Sequence, residues 1–174
     1  MPFTRSSLFA AALLASGAAF AQSTGKPTDP QVAHIAYTAD EIDIKAGQLA
    51  MSKSKNTQVT AFAQDMMRDH KAVNEQALAL LAKLKVEPQD NETSRTLVKQ
   101  AEAERQRLSA LNGAAFDKAY IQNEVAYHRQ VNDTLRTTLI PSASNAELKA
   151  LLSTGLQLFE GHQQHAEQLA QALK

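Results

Sequence analysis

The chain has 174 residues, and its 18 Lys and Arg residues balance 18 Asp and Glu residues, so the formal net charge is zero. Because no field of one sign is present to attract phosphates, we expect neither a nucleic-acid-binding protein nor one that binds anionic membranes. The sequence contains no cysteine, which excludes disulfides and thiolate metal sites. Tryptophan is absent and aromatic residues make up 5% of the chain, while alanine and leucine are abundant, a composition that favours helices.

The first residues have the features of a secretory signal. Arg5 precedes an apolar run over 8–20, and Ala19 and Ala21 are small residues at the two positions that a signal peptidase reads. We therefore predict a signal peptide over 1–21. Without a cysteine there is no acceptor for a lipid anchor, and no later apolar stretch is long enough to span a bilayer. The expected product is a periplasmic protein that is not a lipoprotein and that has one more acidic than basic residue.

Two long helices are predicted after a short lead. Residues 22–30 contain one glycine and two prolines and are typical of a flexible segment. Apolar residues at alternating spacings of three and four predict a first helix over about 31–53. Asn56 interrupts this pattern and is a suitable N-cap for a second helix over about 57–84. The two helices should form an antiparallel hairpin.

A polar connection with a helix of its own follows the second long helix. Residues 94–111 are rich in Glu and Arg and predict a short helix, which Asn112 and Gly113 end. The third long helix is predicted over about 114–139, and Pro141 should stop it. The connection of nearly 30 residues lets the second and third long helices run parallel.

The last long helix is expected to begin at a capping box made by Ser144 and Glu147. Two helical hairpins joined by one long connection are typical of ferritin-like folds. We therefore predict an all-α, ferritin-like four-helix bundle over 31–172, with a long crossover that contains an extra short helix. The sequence has no βαβ pattern, glycine-rich phosphate loop or serine-nucleophile elbow.

Four of the five histidines fall on the apolar stripes of the predicted helices, close to the helix midpoints. Because residues three, four and seven apart share a face, these histidines should point inward, as should one glutamate of the third long helix. At a rise of about 1.5 Å per residue, four of these side chains lie within about 5 Å of one level, and His165 lies about 10 Å away. The four are His70, Glu124, His128 and His162.

The first two helices add carboxylates near this level. Asp43 belongs to a row of small residues that borders the apolar stripe, whereas Glu41 is turned well away from it. We therefore expect Asp43 to point inward. Asp65 and Asp69 flank the stripe of the second helix and are placed to orient an imidazole through its second nitrogen.

Imidazole and carboxylate together suit Fe, Zn, Cu or Mn, and the core of a helical bundle is a known place for such sites. The usual di-iron pattern requires Glu-x-x-His on two helices, and the sequence has none, so a standard di-iron oxidase is not supported. No catalytic residue or organic cofactor is assigned, and a binding protein is expected rather than an enzyme. The predicted metal ligands are His70, Glu124, His128, His162, His165 and Asp43.

Several blocks of sequence are similar to a known family. The blocks are Asp43 with Gly47-Gln48-Leu49-Ala50, Phe62-Ala63 with Met67-Arg68-Asp69-His70, Phe116-Asp117-Lys118-Ala119-Tyr120 with Glu124-Val125-Ala126-Tyr127-His128, and His162 with His165-Ala166. Over about 31–172 the chain resembles a bacterial family of exported ferritin-like proteins, catalogued as a domain of unknown function and often labelled periplasmic or outer-membrane. The resemblance implies a ferritin-like bundle with inward histidines and acids, and it implies no established activity.

Three functions remain open at this point. The first is a metal-binding bundle that stores or buffers a transition metal or uses it for redox chemistry. The second is a non-enzymatic envelope or stress-related protein that binds a partner protein or a second copy of itself, with histidines that are purely structural, as single buried histidines usually are. The third is a bundle that loosens when its imidazoles become charged below about pH 6.

Overall fold

The computed structural model describes residues 25–173, and the predicted signal peptide lies outside them. All regular secondary structure within these residues is helical, which confirms the all-α prediction. No helix in this part of the chain combines the length and the apolar character that crossing a membrane requires. The elements are α1 (Asp29–Lys53), α2 (Thr57–Leu84), α3 (Glu92–Ser109), α4 (Gly113–Thr134), a π-helical segment (Leu135–Leu139), α5 (Ile140–Ser142) and α6 (Ala146–Ala172).

Hydrogen bonds at one end of the bundle show which helix ends meet there. The Asp29 carboxylate, at the start of α1, accepts hydrogen bonds from the backbone N–H groups of Ser144 and Asn145 at 2.7 and 2.9 Å. The Gln89 N–H, just after α2, donates to the Pro30 carbonyl oxygen at 3.0 Å. The start of α1, the end of α2 and the start of α6 therefore lie together.

The opposite end holds the end of α1, the end of α3 and the start of α4. Lys53 donates from Nζ to the Ser109 carbonyl oxygen at 2.7 Å, and the same Nζ lies 5.8 Å from the centre of the Phe116 ring. Helix α3 therefore runs alongside α1 and returns the chain to the end from which α4 starts. Helices α2 and α4 are parallel, and α3 lies in the long connection between the two hairpins, as the sequence predicts.

The core consists of two apolar clusters separated by a layer of buried polar side chains. One cluster includes Phe62, Tyr120 and Ala166, and the other includes Ile35 and Phe159. Apart from Asp117, which lies between two members of the first cluster, the buried polar residues of the four long helices lie, in sequence, between the members of the two clusters. The polar layer is therefore covered by packed side chains above and below.

Three predicted helices have different bounds in the structure. Helix α3 spans Glu92–Ser109 rather than about 94–111, because Asn91 is its N-cap. Helix α1 begins at Asp29 rather than about residue 31, because the Gln31 side chain accepts a hydrogen bond from the Thr28 N–H at 3.0 Å and closes a capping box. The third long helix does not stop before Pro141 but continues through the π-helical segment to Ser142. Pro141 has no N–H to donate, and the wider π turn changes the hydrogen-bonding register just before it.

The predicted capping box at Ser144 was also wrong. Asn145 is the N-cap of α6, and its Oδ1 accepts from the N–H groups of Glu147 and Leu148 at 2.9 and 3.0 Å. Ser144 instead donates from Oγ to the Asp29 carboxylate at 2.7 Å, in addition to its backbone bond. Ser144 therefore ties α1 to the α5–α6 turn, while its neighbour caps the helix.

Candidate metal centre

His70 lies between two carboxylates of α1. Its Nδ1 is 2.7 Å from Oδ1 of Asp40, and its Nε2 is 2.8 Å from Oδ2 of Asp43. The two aspartates are three residues apart, so they project from the same face of α1. The His70 ring is 2% exposed, and Phe159 stacks on it at 4.4 Å between ring centres. The ring is therefore held at one nitrogen by Asp40 and presented to Asp43 at the other.

His128 and Glu124 project together from α4. Nδ1 of His128 lies 3.0 Å from the Glu124 backbone carbonyl oxygen, one turn earlier in the helix. Its Nε2 lies 3.3 Å from Oδ2 of Asp43, the same oxygen that approaches His70. Both His128 and Glu124 are fully buried. The contact with a backbone oxygen sets the ring so that Nε2 faces the carboxylate of α1.

His162 completes the group from α6. Its Nε2 lies 3.1 Å from Oδ2 of Asp69, and Arg68 donates from Nε to the other carboxylate oxygen at 2.7 Å. Asp69 is 20% exposed, so this chain of contacts runs from the surface to the core. Asp69 therefore orients the His162 imidazole, as the sequence predicts, whereas Asp65 forms an ion pair with Arg68 at 2.6 Å.

The three imidazoles form one cluster. The ring centres of His70, His128 and His162 are 5.3–5.7 Å apart. One nitrogen from each ring lies within 4.8 Å of the others, and Asp43, Glu124 and His128 form a second group under the same limit. Six atoms of the two groups are buried without a hydrogen-bond partner among the described residues: Asp43 Oδ1 and Oδ2, His70 Nε2, His128 Nε2, His162 Nδ1 and Glu124 Oε2.

Charge is distributed unevenly over this cluster. Burial alone would lower the pKa of His70, but the negative charge of Asp43 and the hydrogen bond that His70 donates to Asp40 outweigh it and raise the pKa to about 10. Burial would raise the pKa of Asp43, yet the positive charge of His70 holds it well below its usual range. His70 and Asp43 therefore form a buried ion pair at neutral pH.

The neighbouring groups are neutral. Burial raises the pKa of Glu124 well above its usual value, and the negative charge of Asp43 raises it further. Burial lowers the pKa of His128. Burial and the positive charge of His70 lower the pKa of His162 to about 4. Two of the three imidazoles are therefore uncharged at neutral pH, which is the form that binds a metal ion.

Five of the six predicted ligand residues meet in this cluster, and His165 does not. His165 is exposed, and its ring packs edge-on against Phe62 at 5.1 Å between centres. Its predicted inward position was wrong because the buried face of α6 continues from Phe159 and His162 to Ala166, and His165 is turned about 100° around the helix from Ala166. The inward positions of the other five, Asp43, His70, Glu124, His128 and His162, were predicted correctly.

Asp40 also belongs to the cluster and was not predicted: it is 3% exposed, and its Oδ1 lies 2.7 Å from His70 Nδ1. Its spacing of three from Asp43 was the available signal. The fifth histidine, His34, is half-buried, with Nδ1 3.0 Å from the Ser94 Oγ of α3. His34 therefore helps to hold α3 against α1 and lies away from the cluster.

A family model described as "Domain of unknown function (DUF4142)" matches residues 14–169. The chain belongs to this family. No curated protein matches the chain. The DUF4142 description assigns no activity, so the chemistry of this protein has to be inferred from its own side chains.

Solved structures of proteins from another family have a similar fold. A DUF305 fragment from Deinococcus radiodurans superimposes with a TM-score of 0.71 at 14% identity, covering 85% of this chain and 99% of that one. A candidate secreted protein of the DUF305 family from Streptomyces coelicolor has a TM-score of 0.61 at 13% identity, covering 82% and 87%. At these identities the similarity shows only that the two families share a fold.

Proposed function

We propose that this DUF4142 protein binds a transition-metal ion between its four long helices, with His70, His128 and His162 as nitrogen ligands and Asp43 and Glu124 as oxygen ligands. One observation carries the proposal. Each histidine has one ring nitrogen placed against a carboxylate or a backbone carbonyl, while its second nitrogen is buried without a hydrogen-bond partner among the described residues. This is the usual arrangement of metal-binding histidines, whose outer partner fixes the ring and its tautomer.

The energetics of burial favour a ligand over a purely structural network. A buried polar atom without a hydrogen-bond partner costs about 1–3 kcal/mol. The ion pair offsets this cost for His70 Nε2 and Asp43 Oδ2, and four of the six atoms here remain without such compensation. A structural network would be expected to pair these atoms with one another, yet the contacts at 2.8 and 3.3 Å around Asp43 Oδ2 do not have hydrogen-bond geometry. A cation coordinated by these atoms would compensate for their lost hydration.

The donor set limits the kind of metal. Three imidazoles with two carboxylates suit Zn, Fe, Mn or Cu, whereas Mg and Ca prefer oxygen ligands alone. The protein has no thiolate to offer a soft metal, because it contains no cysteine. The ion, when bound, would supply Lewis acidity or, for Fe, Mn or Cu, redox chemistry. Asp43 and Glu124 would balance its charge, and Asp40 and Asp69 would hold the rings.

We further propose that the protein stores or buffers this metal, or uses it for redox chemistry, in the periplasm and as a ferritin-like bundle. The predicted signal peptide supports export, and one protein of similar fold is described as a candidate secreted protein. The two antiparallel hairpins joined by a long crossover support the ferritin-like class. Binding rather than catalysis fits the burial of the cluster.

Metal content tests the proposal directly. The mature protein would be purified without chelator from cells supplied with Fe, Zn, Cu and Mn, and its metal would be measured by mass spectrometry beside a His70→Gln, His128→Gln double variant. We expect stoichiometric metal in the wild type, a higher melting temperature with metal than without, and neither property in the variant. A wild type that has no metal and gains no stability from any of the four ions would leave the histidines with a structural role in an interaction protein.

A further inference from the structure

A cleft between α1, α3 and α4 leads to the carboxylate side of the candidate metal centre. Its volume is about 510 Å³. Helix α3 forms its outer wall with Leu97, Val98, Ala101 and Leu108. Asp43 and Glu124 line it on the inner side, whereas none of the three imidazoles, His70, His128 and His162, does. The cleft therefore approaches the cluster from α1 and α4, opposite the helices that supply two of the three imidazoles.

Two features of the cleft favour a cation as its ligand. Asp43 and Glu124 are fully buried, and both have carboxylate oxygens without a hydrogen-bond partner among the described residues. Apart from the neutral Glu124, four acidic residues line the cleft as a whole, against two basic ones. They are Glu41, Asp43, Glu102 and Glu104, with Lys45 and Arg105. A low-dielectric cleft with an excess of acidic groups raises the local concentration of cations.

The size of the cleft fits a hydrated ion. A divalent transition-metal ion with six waters occupies roughly 180 Å³, at about 30 Å³ per water. The cleft is larger than this, so a hydrated ion fits within it. Because the carboxyl oxygens of Asp43 and Glu124 are buried at the inner wall, the ion exchanges its water for them only after neighbouring side chains move aside. A second path to the cluster would pass between α2 and α6, where Asp69 is partly exposed and His162 is 6% exposed.

We propose that a hydrated divalent transition-metal ion reaches the centre through this cleft, meeting Asp43 and Glu124 first, and that α3 limits how fast it enters and leaves. This inference rests on the proposed metal-binding function. Because a path affects rates and leaves the end states unchanged, narrowing the cleft should slow binding and release together and leave the dissociation constant nearly the same.

Helix α3 offers a matched pair of positions for the test. Ala101 lines the cleft, while Ala103, two residues later, is exposed and lies outside it. Stopped-flow measurements would follow Co²⁺ binding by its absorption, and release into excess chelator, in the wild type, Ala101→Trp and Ala103→Trp proteins. We expect both rates to fall by about tenfold or more in Ala101→Trp, with the dissociation constant unchanged within about threefold, and no change in Ala103→Trp.

The outcomes separate this inference from the function on which it rests. If wild-type protein binds no metal, the proposed function fails. If Ala101→Trp binds Co²⁺ at the wild-type rates, the proposed function stands and the ion takes another path, such as the one past Asp69. Should Ala101→Trp fail to fold, Val98→Trp replaces it, because Val98 lines the same cleft and is 52% exposed. Unchanged rates in that variant would equally overturn the inference.

Discussion

Nε2 of His70 lies 2.8 Å from Oδ2 of Asp43, yet the two atoms do not have hydrogen-bond geometry. The other nitrogen of the same ring contacts Asp40 at 2.7 Å. In the metal-free protein the ring is therefore an imidazolium between two carboxylates. A metal ion at Nε2 would displace a proton, so the same ring can hold either a proton or a metal and keep its position.

The metal-free protein should lose stability at alkaline pH because of His70. The folded pKa of His70, about 10, is higher than the 6.5 of the unfolded chain. Its contribution to stability is therefore complete below pH 6.5 and is lost as the pH rises through 10. We expect the free energy of unfolding, measured with urea, to fall between pH 7 and pH 10.

The control for this experiment is His70→Gln, which removes the titrating group and keeps a polar side chain of similar reach. The variant should be less stable than the wild type at pH 7, and the difference between the two should shrink toward pH 10. A difference that stays constant over this range would show that the His70 ring is not protonated in the folded protein.

Substitution of single carboxylates should weaken metal binding to different degrees, depending on where each carboxylate lies relative to the cluster. Asp40→Asn leaves all five proposed ligands in place and should weaken metal binding by about 10–100-fold, the usual effect of losing a carboxylate that orients a histidine. Asp43→Asn removes a ligand and a charge, so it should weaken binding more. Asp65→Asn is the matched control, because Asp65 is 41% exposed and contacts Arg68. Competition titration with a chromophoric chelator measures all three, and equal affinities would contradict the proposed ligand set.

The two histidines of α6 provide the sharpest comparison. His162 belongs to the cluster, whereas His165 is exposed three residues later on the same helix. His162→Ala should lower the metal content and remove the stabilisation by metal. His165→Ala should leave both unchanged, since its ring contacts Phe62 at the edge of the core. Metal analysis of the two purified variants shows whether His165 is a ligand, as the sequence predicts, or lies outside the site, as in the structure.

Acid should destabilise the metal-free protein through His162. Its folded pKa, about 4, is below the unfolded value of 6.5, so the unfolded chain binds more protons between these values. The free energy of unfolding should therefore fall as the pH drops from 6.5 to 4. His162→Gln should show a smaller decrease over this range, measured by urea unfolding. If the free energy of unfolding of the wild type did not change between pH 5 and 8, the pH-responsive function would also be excluded.

Helical periodicity explains why most of the centre could be predicted. The buried faces of α2 and α4 follow regular spacings of three and four, so they place His70, Glu124 and His128 inward without further information. In α6 the stripe allowed two interpretations after His162, since both the third and the fourth following residue lie near the same face. Packing against the other helices selects Ala166 and leaves His165 outside, and this selection depends on tertiary structure.

Contacts between distant segments account for the other differences. Ser144 satisfies the local rule for an N-cap, but a carboxylate from the start of α1 takes its hydroxyl and leaves Asn145 to cap α6. The spacing of three puts Asp40 on the same face as Asp43, but its contact with His70 appears only when α2 brings the ring within 2.7 Å of it. Pairings between residues 30 or 115 positions apart do not follow from the periodicity of one helix.

Close packing of α1 on α2 depends on Gly47. A Cβ built at this residue would lie 2.7 Å from Met67 Cγ and 3.1 Å from the Ala63 carbonyl oxygen. The Met67 side chain can move, but the backbone of α2 cannot without separating the helices that hold Asp43 and His70. Gly47→Ala should therefore destabilise the protein by about 1–3 kcal/mol.

The matched control is Gly161→Ala in α6, where an added Cβ would meet nothing within 4 Å. Alanine is the better helix former, so this change should stabilise the protein by about 0.5–1 kcal/mol. Urea unfolding of both variants measures the two effects, and their opposite signs are the test. If Gly47→Ala were as stable as Gly161→Ala, the α1–α2 contact would be looser than the structure shows, and the distances around His70 would have to be longer as well.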